Sequence, residues 1–344
     1  MTTNEGGMRG RRRRAFLVAT ISSAAALLAA EVVARRMFGV PLVERLPTVE
    51  VRANRLRGYE MVPDRDHFTY EHPVHVNQLG LRGPDLQPKG ADERRLLCIG
   101  DSTTYGQGVA DADTIPARLE VELGRAAVRV VNGGVRGYGT PEEVGLFEEL
   151  GPAIRPDVVV LLWYPNDLER PEIEENAARL TDSGPVAFDT GARMEGAQLL
   201  LWHVRSLVRR SALIVKLRHA WVEWTYRRMT PAQIDLGFER LDAELARLAT
   251  AARASSVDVL VAAIPTAAAV RSGRDDDHLS ERVGALAQKR GFAFVDLAPA
   301  LRELRTRLGR SSVLPYDGHY DGDANAAMAH AIARAVAESF PARL

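Results

Sequence analysis

The sequence predicts an α/β fold: a doubly wound three-layer α/β/α sandwich around a five-stranded parallel sheet, with a helical insertion after the third strand. Three observations predict it. Short apolar runs recur at 95–99, 128–132, 157–163, 257–264 and 292–297. Segments of helical length follow them, at about 114–125, 141–151, 232–254 and 278–290, with a last one at 323–339. The runs are apolar throughout rather than alternating, so each strand is buried on both faces, as in a parallel sheet covered by helices on either side. Right-handed crossovers then leave a doubly wound sheet as the simplest topology.

The first forty of the 344 residues stand outside this pattern. Residues 9–14 are arginine broken only by Gly10, and 15–30 are wholly apolar or small before Glu31 interrupts. A basic block followed by an apolar stretch reads as a signal peptide or signal anchor at 1–36. The stretch is long enough to span a bilayer, and the basic block would stay cytoplasmic, leaving the bulk of the chain outside. Arg13-Arg14-Ala15-Phe16-Leu17 also resembles a twin-arginine export signal. An uncleaved anchor is the favoured reading, with Leu28-Ala29-Ala30 and Val32-Val33-Ala34 as the alternative cleavage points.

Residues 37–90 read as a tether and domain-edge segment. Pro41, Pro47, Pro63 and Pro73 punctuate it, leaving room for one short β hairpin. His67, His72 and His75 fall within nine positions, but neither helical spacing nor cysteines accompany them. They read as a solvated loop, not a metal site. Residues 91–344 form the main domain, interrupted at 168–230. The first part of the insertion is polar with Pro and Gly. The second carries Trp202, Trp221 and Trp224 with Arg205, Arg209, Arg210, Lys216, Arg218, Arg227 and Arg228, opposed only by Glu223. It reads as an amphipathic cap with its Leu/Trp face on the sheet. The alternatives are a lid, or a face lying against anionic lipid.

Lys plus Arg and Asp plus Glu number 45 each, so bulk charge gives no argument for nucleic acid. The single cysteine, Cys98, sits within a strand and reads as a core residue. Candidate chemistry begins at Gly100-Asp101-Ser102, where the first strand turns into a helix. Ser102 there is either a plain N-cap or a presented nucleophile beside free backbone N–H groups. Gly137 and Asn166 also fall just past strand ends, where open α/β sheets build their sites. Among the eight histidines, His278 and His319 each follow an aspartate by two residues. His278 comes after Asp275-Asp276-Asp277, which reads as the start of a helix.

Four blocks together carry a resemblance: Gly100-Asp101-Ser102, Asn132-Gly133-Gly134-Val135-Arg136-Gly137, Tyr164-Pro165-Asn166-Asp167 and Asp317-Gly318-His319. In all four the chain resembles the SGNH (GDSL-type) hydrolase family, from about Val76 to the C-terminus. Asn77-Gln78-Leu79-Gly80-Leu81-Arg82-Gly83 looks like the lead-in of its membrane-anchored members. The resemblance implies an SGNH/flavodoxin-like fold, with Ser102 as nucleophile, His319 as general base and Asp317 as its orienting partner. The Ser102 N–H, the Gly137 N–H and the Asn166 side chain would form the oxyanion hole, with no cofactor and no metal. Three departures stand out: Tyr164 replaces the usual glycine, Asp317 precedes His319 by two residues rather than three, and Asp321 and Ala324 replace the Asn and Gly that often follow. Asp321 is a natural N-cap for the last helix.

The expected function is an extracytoplasmic serine esterase acting on O-acyl esters, acetyl esters first, through an acyl-enzyme. The alternatives are an O-acyltransferase acting on cell-surface polysaccharide, a lipase or thioesterase, and a non-catalytic glycan-binding protein. The expected partners are an acylated small molecule or glycan and, through the N-terminal segment, the membrane; nucleic acid is not expected. The protein would be anchored by its single N-terminal segment, or secreted if that segment is cleaved.

Overall fold

The computed structural model describes residues 5–169, 184–189, 193–225, 229–272 and 278–344. The chain begins with helix α1 (Glu5–Phe38). Its 28 residues from Arg11 to Phe38 are long and apolar enough to cross a membrane, and Phe16, Ile21, Leu27 and Leu28 are exposed along it. Two hairpins follow where the sequence suggested one: β1 (Glu50–Asn54) with β2 (Gly58–Met61), and β3 (Arg65–Thr69) with β4 (His72–Val76). Each strand has only four or five residues, and the prolines between them obscure the alternation. In β4 that alternation buries Val74 and Val76.

The central sheet comprises β5 (Arg94–Gly100), β6 (Val128–Gly134), β7 (Val158–Trp163), β9 (Asp258–Ala263) and β10 (Ala293–Asp296), in the order β10-β9-β7-β5-β6 and parallel throughout. The remaining strand, β8 (Val186–Ala187), pairs with β1 outside it. Between the central strands run α2 (Ser102–Tyr105), α3 (Ile115–Leu123), α4 (Thr140–Ile154), α5 (Gly196–Val208), α6 (Ala212–Thr225), α7 (Pro231–Ser255), α8 (Ala267–Ser272) and α9 (Leu279–Lys289); α10 (Ala298–Leu308) and α11 (Gly322–Ser339) end the fold.

Strand β7 shows why the sheet is buried on both faces. Val159, Leu161 and Trp163 pack into one apolar core with Phe147 of α4 and Phe238, Leu241 and Leu245 of α7. Val158, Val160 and Leu162 enter the other core, with Leu119 of α3, Leu301 of α10 and Met328 and Ile332 of α11. Cys98 belongs to this second core, fully buried. The period-two alternation of side chains thus feeds two helical layers, giving the three-layer α/β/α sandwich that the apolar runs predicted. Two helices escaped the sequence reading. Helix α8 is six residues long, and α10 carries so much charge that only Ala298, Leu301 and Leu304 are buried.

The cap differs from expectation. Helix α5 has no buried residue, and Leu200, Val204, Leu207, Leu217, Trp221 and Trp224 of α5 and α6 are exposed rather than packed on the sheet. What α6 packs on is α1. The Glu31 carboxylate accepts hydrogen bonds from Ser211 Oγ (2.7 Å), Ala212 N (2.9 Å) and Leu213 N (3.0 Å), capping α6 from another helix. Arg35 bonds both Glu31 and the Arg210 carbonyl, at 2.6 Å each. Ala34 and Ala212 are buried in this joint. The charged residue that interrupts this apolar helix therefore has a structural task. Tyr226, Arg227, Arg228 and the Glu223 side chain lie outside the described residues, as do much of the polar part of the insertion and Asp275-Asp276-Asp277.

His67 also departs from the sequence reading. It is buried in β3, with Nε2 2.7 Å from the Tyr105 hydroxyl and its ring parallel to that of Tyr105. His75 is the exposed member, paired with Asp66 at 2.7 Å. Burial, and then the Arg82 and Arg136 guanidinium groups, lower the His67 pKa to about 3. The folded state keeps this imidazole neutral, whereas the unfolded chain protonates it below about pH 6.5. The unfolded state therefore binds more protons through this window, and stability falls as pH drops from 6.5 toward 3. His67→Gln removes that linkage. Urea unfolding is expected to show the stability advantage of wild type over the variant shrinking by roughly 1–2 kcal/mol between pH 7 and pH 5; parallel stability curves would refute it.

Candidate active site

Strand β5 ends at Gly100, and a Cβ there would lie 2.0 Å from Thr104 Oγ1, so only glycine allows helix α2 to start this close to the strand. Asp101 is the N-cap of α2: its Oδ1 accepts from Thr103 N at 2.7 Å. Ser102 is thereby the first residue of the helix, as the sequence suggested. Asp101 does more than brace the turn. Its Oδ2 accepts from Asn166 Nδ2 at 3.0 Å, and the side chain is buried. Asn166 lies in the 3-10 turn Pro165–Leu168 directly after β7. One of its two amide N–H bonds is fixed by Asp101, leaving the other for a ligand. Tyr164, standing where the family usually has glycine, is extended (φ −128°, ψ 148°), a conformation that needs no glycine.

The layer under Asn166 is acidic and buried. Asp167 Oδ2 accepts from Tyr164 N (3.3 Å) and Thr140 Oγ1 (3.4 Å). Burial, and then Asp101, push the Asp167 carboxyl pKa well up; burial, and then Asp167 and Asp101, do the same to Glu143. Both are held toward the neutral acid form.

His319 arrives from the loop before α11. Its Nε2 is 2.8 Å from Ser102 Oγ, and its Nδ1 bonds Asp317 Oδ1. The backbone N–H of His319 donates to the same oxygen at 3.1 Å. Gly318, at φ +97°, folds the chain so that a carboxylate only two residues earlier reaches the imidazole. Burial alone would raise the Asp317 pKa, but the His319 and Tyr70 donors outweigh it and hold it below the ordinary carboxylate value. Asp321 caps α11, accepting from Asp323 N and Ala324 N at 3.1 Å each. Ser102, Asn166, Asp317, His319, Tyr164 and Tyr320 line a cleft of about 300 Å³.

Gly137 sits after β6 at φ +77°, where a Cβ would come within 2.8 Å of Tyr59 Oη and 3.1 Å of the Phe188 ring. It is not among the residues lining that cleft. Of the other histidines, His278 is exposed beside Glu281 (3.0 Å) and His330 bonds Glu122 (2.8 Å). Sequence reasoning missed Tyr70, whose hydroxyl donates to Asp317 Oδ2. The only signal was an aromatic residue in a presumed tether.

The model of the GDSL-like lipase/acylhydrolase family matches residues 98–319. The fold is similar to that of TesA (19% identity, 71% of this chain and 98% of that one, TM-score 0.43). It is also similar to an acetylxylan esterase from Geobacillus stearothermophilus (17%, 72% and 96%, TM-score 0.42). A lipase/acylhydrolase from Enterococcus faecalis is a third (16%, 71% and 95%, TM-score 0.40). No curated protein matches the sequence.

Because burial, and then the neighbouring Asp167 and Asp101 carboxylates, favour the protonated form of Glu143 in the folded state, wild type sheds stability as pH rises above the unfolded carboxyl range. Glu143→Gln has no proton to lose there. Chemical denaturation at pH 6 and pH 8 is expected to show the variant losing less stability than wild type over that interval; equal losses would contradict a neutral Glu143.

Proposed function

Because the chain belongs to the GDSL-like lipase/acylhydrolase family and is therefore an ester-hydrolysing enzyme, we propose that it is a serine esterase cleaving short O-acyl esters through an acyl-enzyme. The observation that carries this reading is the 2.8 Å approach of His319 Nε2 to Ser102 Oγ. A serine hydroxyl is a weak nucleophile until a base accepts its proton. Nδ1 of His319 donates to Asp317, so Nε2 is left as the acceptor facing Ser102. Ser102 Oγ attacks the ester carbonyl as its proton passes to Nε2. The tetrahedral oxyanion is met by the Ser102 N–H at the start of α2 and the free Asn166 N–H. The C–O bond then breaks, the imidazolium returns its proton to the leaving alcohol, and the acyl group remains on Oγ. Water, deprotonated by Nε2, releases the acid and restores the serine. Asp317 stays ionised throughout and stabilises the imidazolium.

The cleft volume of about 300 Å³ supports a short acyl group such as acetyl. Membrane anchoring with the catalytic domain outside the cytoplasm is part of the same reading. The arginines preceding the apolar part of α1 support it. Retention of the anchor is supported by Glu31 and Ala34, which the fold uses: cleavage after Ala34 would remove the cap of α6. In domain terms, an anchor at 1–36, an edge segment at 37–90 and a catalytic domain at 91–344 follow.

Ser102→Ala is expected to abolish turnover of p-nitrophenyl acetate and labelling by a fluorophosphonate, with an unchanged melting temperature; residual turnover near wild type would sink the assignment. Asn166→Ala is expected to lower kcat by about 100-fold or more, the usual effect of one lost oxyanion donor. Asp101→Ala, which frees Asn166 without touching substrate, is expected to lower kcat by a smaller factor, roughly 10-fold. Steady-state kinetics on the three purified variants check both.

A further inference from the structure

We propose that Tyr70 is a positioning residue of this site, holding Asp317 from the side away from His319, so that the β3–β4 hairpin fixes the orientation of the Asp317–His319 pair. The inference rests on the roles given above to His319 and Asp317. An aspartate carboxylate rotates easily about its last torsion, since that torsion has broad wells. In Asp317 one oxygen, Oδ1, takes both His319 donors, Nδ1 and the backbone N–H. The other, Oδ2, takes the Tyr70 hydroxyl. With both oxygens engaged the carboxylate plane is fixed, and with it the direction in which His319 presents Nε2 to Ser102.

Three features of the chain serve this one contact. Tyr70 lies in the turn between β3 and β4 at φ +53°, a left-handed conformation that is uncommon for a bulky side chain and marks a constraint. Next to it, the Gly108 N–H donates to Thr69 Oγ1 at 2.8 Å and fixes the turn. Gly108 itself leaves room for the phenol ring: a Cβ there would stand 3.1 Å from Tyr70 Cδ2 and 2.5 Å from Leu314. Burial, followed by the neighbouring Asp317 charge, raises the phenol pKa, so the hydroxyl remains a donor at neutral pH.

A purely architectural role would make Tyr70 matter equally whether or not Asp317 carries a charge. The test is a double-mutant cycle on the full chain in detergent, with Tyr70→Phe and Asp317→Asn singly and together, and p-nitrophenyl acetate as substrate. Tyr70→Phe is expected to lower kcat by roughly 10- to 100-fold, the size of one hydrogen bond to a charged group, with little change in KM. In the Asp317→Asn background the same change is expected to have almost no further effect. Each variant is assayed below its own melting temperature, so lost stability is not read as lost catalysis. An equal loss in both backgrounds, or no loss in the wild-type background, overturns the proposal. If Asp317→Asn alone retains full turnover, the role of Asp317 fails and this inference with it. If Asp317→Asn is impaired and Tyr70→Phe is not, only the inference fails.

Discussion

Asp101 is the interaction on which the site depends. A carboxylate offers two oxygens, and in this buried residue both are used, one on the backbone of α2 and one on the Asn166 amide. The two bonds tie the end of β5 to the end of β7, adjacent strands of the sheet. The helix start that carries Ser102 and the Asn166 amide are thus set against each other by one side chain. Hydrogen bonds to a charged acceptor are stronger than neutral ones, and burial spares these two from competition with water. The neutral acid form favoured at Asp167 and Glu143 fits the same arrangement, because further negative charge beneath Asn166 would repel the Asp101 carboxylate.

How much of this was legible in the sequence follows from the range of the interactions involved. The five strands are visible because a parallel strand buried on both faces is apolar at every position. Ser102, Asn166 and His319 are visible because local punctuation accompanies each: a strand end, a turn, a helix cap. The cap of α2 is Asp101, where the sequence reading offered Ser102 for that place, and its second bond spans 65 positions and leaves no local trace. Tyr70 and Asp317 are 247 residues apart, and the segment holding Tyr70 lacks any long periodic run. His67 was misread because loop-like prolines surround a strand of only five residues. The cap helices were misread for a different reason. Amphipathicity shows that a helix has an apolar stripe, not which surface the stripe meets.

The N-terminal segments are joined to the loop before α11 more closely than a tether would require. Tyr316, the residue before Asp317, donates its hydroxyl toward the carbonyls of Ala34 (3.3 Å) and Gly39 (3.1 Å), at the end of α1. Gly39 lies against Pro315, where a Cβ would come within 3.2 Å. The helix that has the composition of a membrane span thus ends against the loop bearing the acid and the imidazole. Tyr70 reaches the same loop from the hairpin.

That convergence answers a thermodynamic difficulty. His319 and Ser102 are 217 positions apart, and a single hydrogen bond contributes about 1 kcal/mol to holding two such groups together. This is far too little to order a glycine-containing loop, whose residues each cost about 1–2 kcal/mol to fix. The loop must be placed by other contacts before the bond to Ser102 can form. The Leu314 N–H bonds the His319 carbonyl at 2.8 Å and closes the loop on itself. Asp321 fixes its exit to α11, Tyr316 fixes its approach, and Tyr70 fixes the carboxylate within it. With the loop set from these directions, the short contact to the serine is a consequence of the scaffold rather than its cause. The scaffold extends to the N-terminal hairpin and to the last turn of α1.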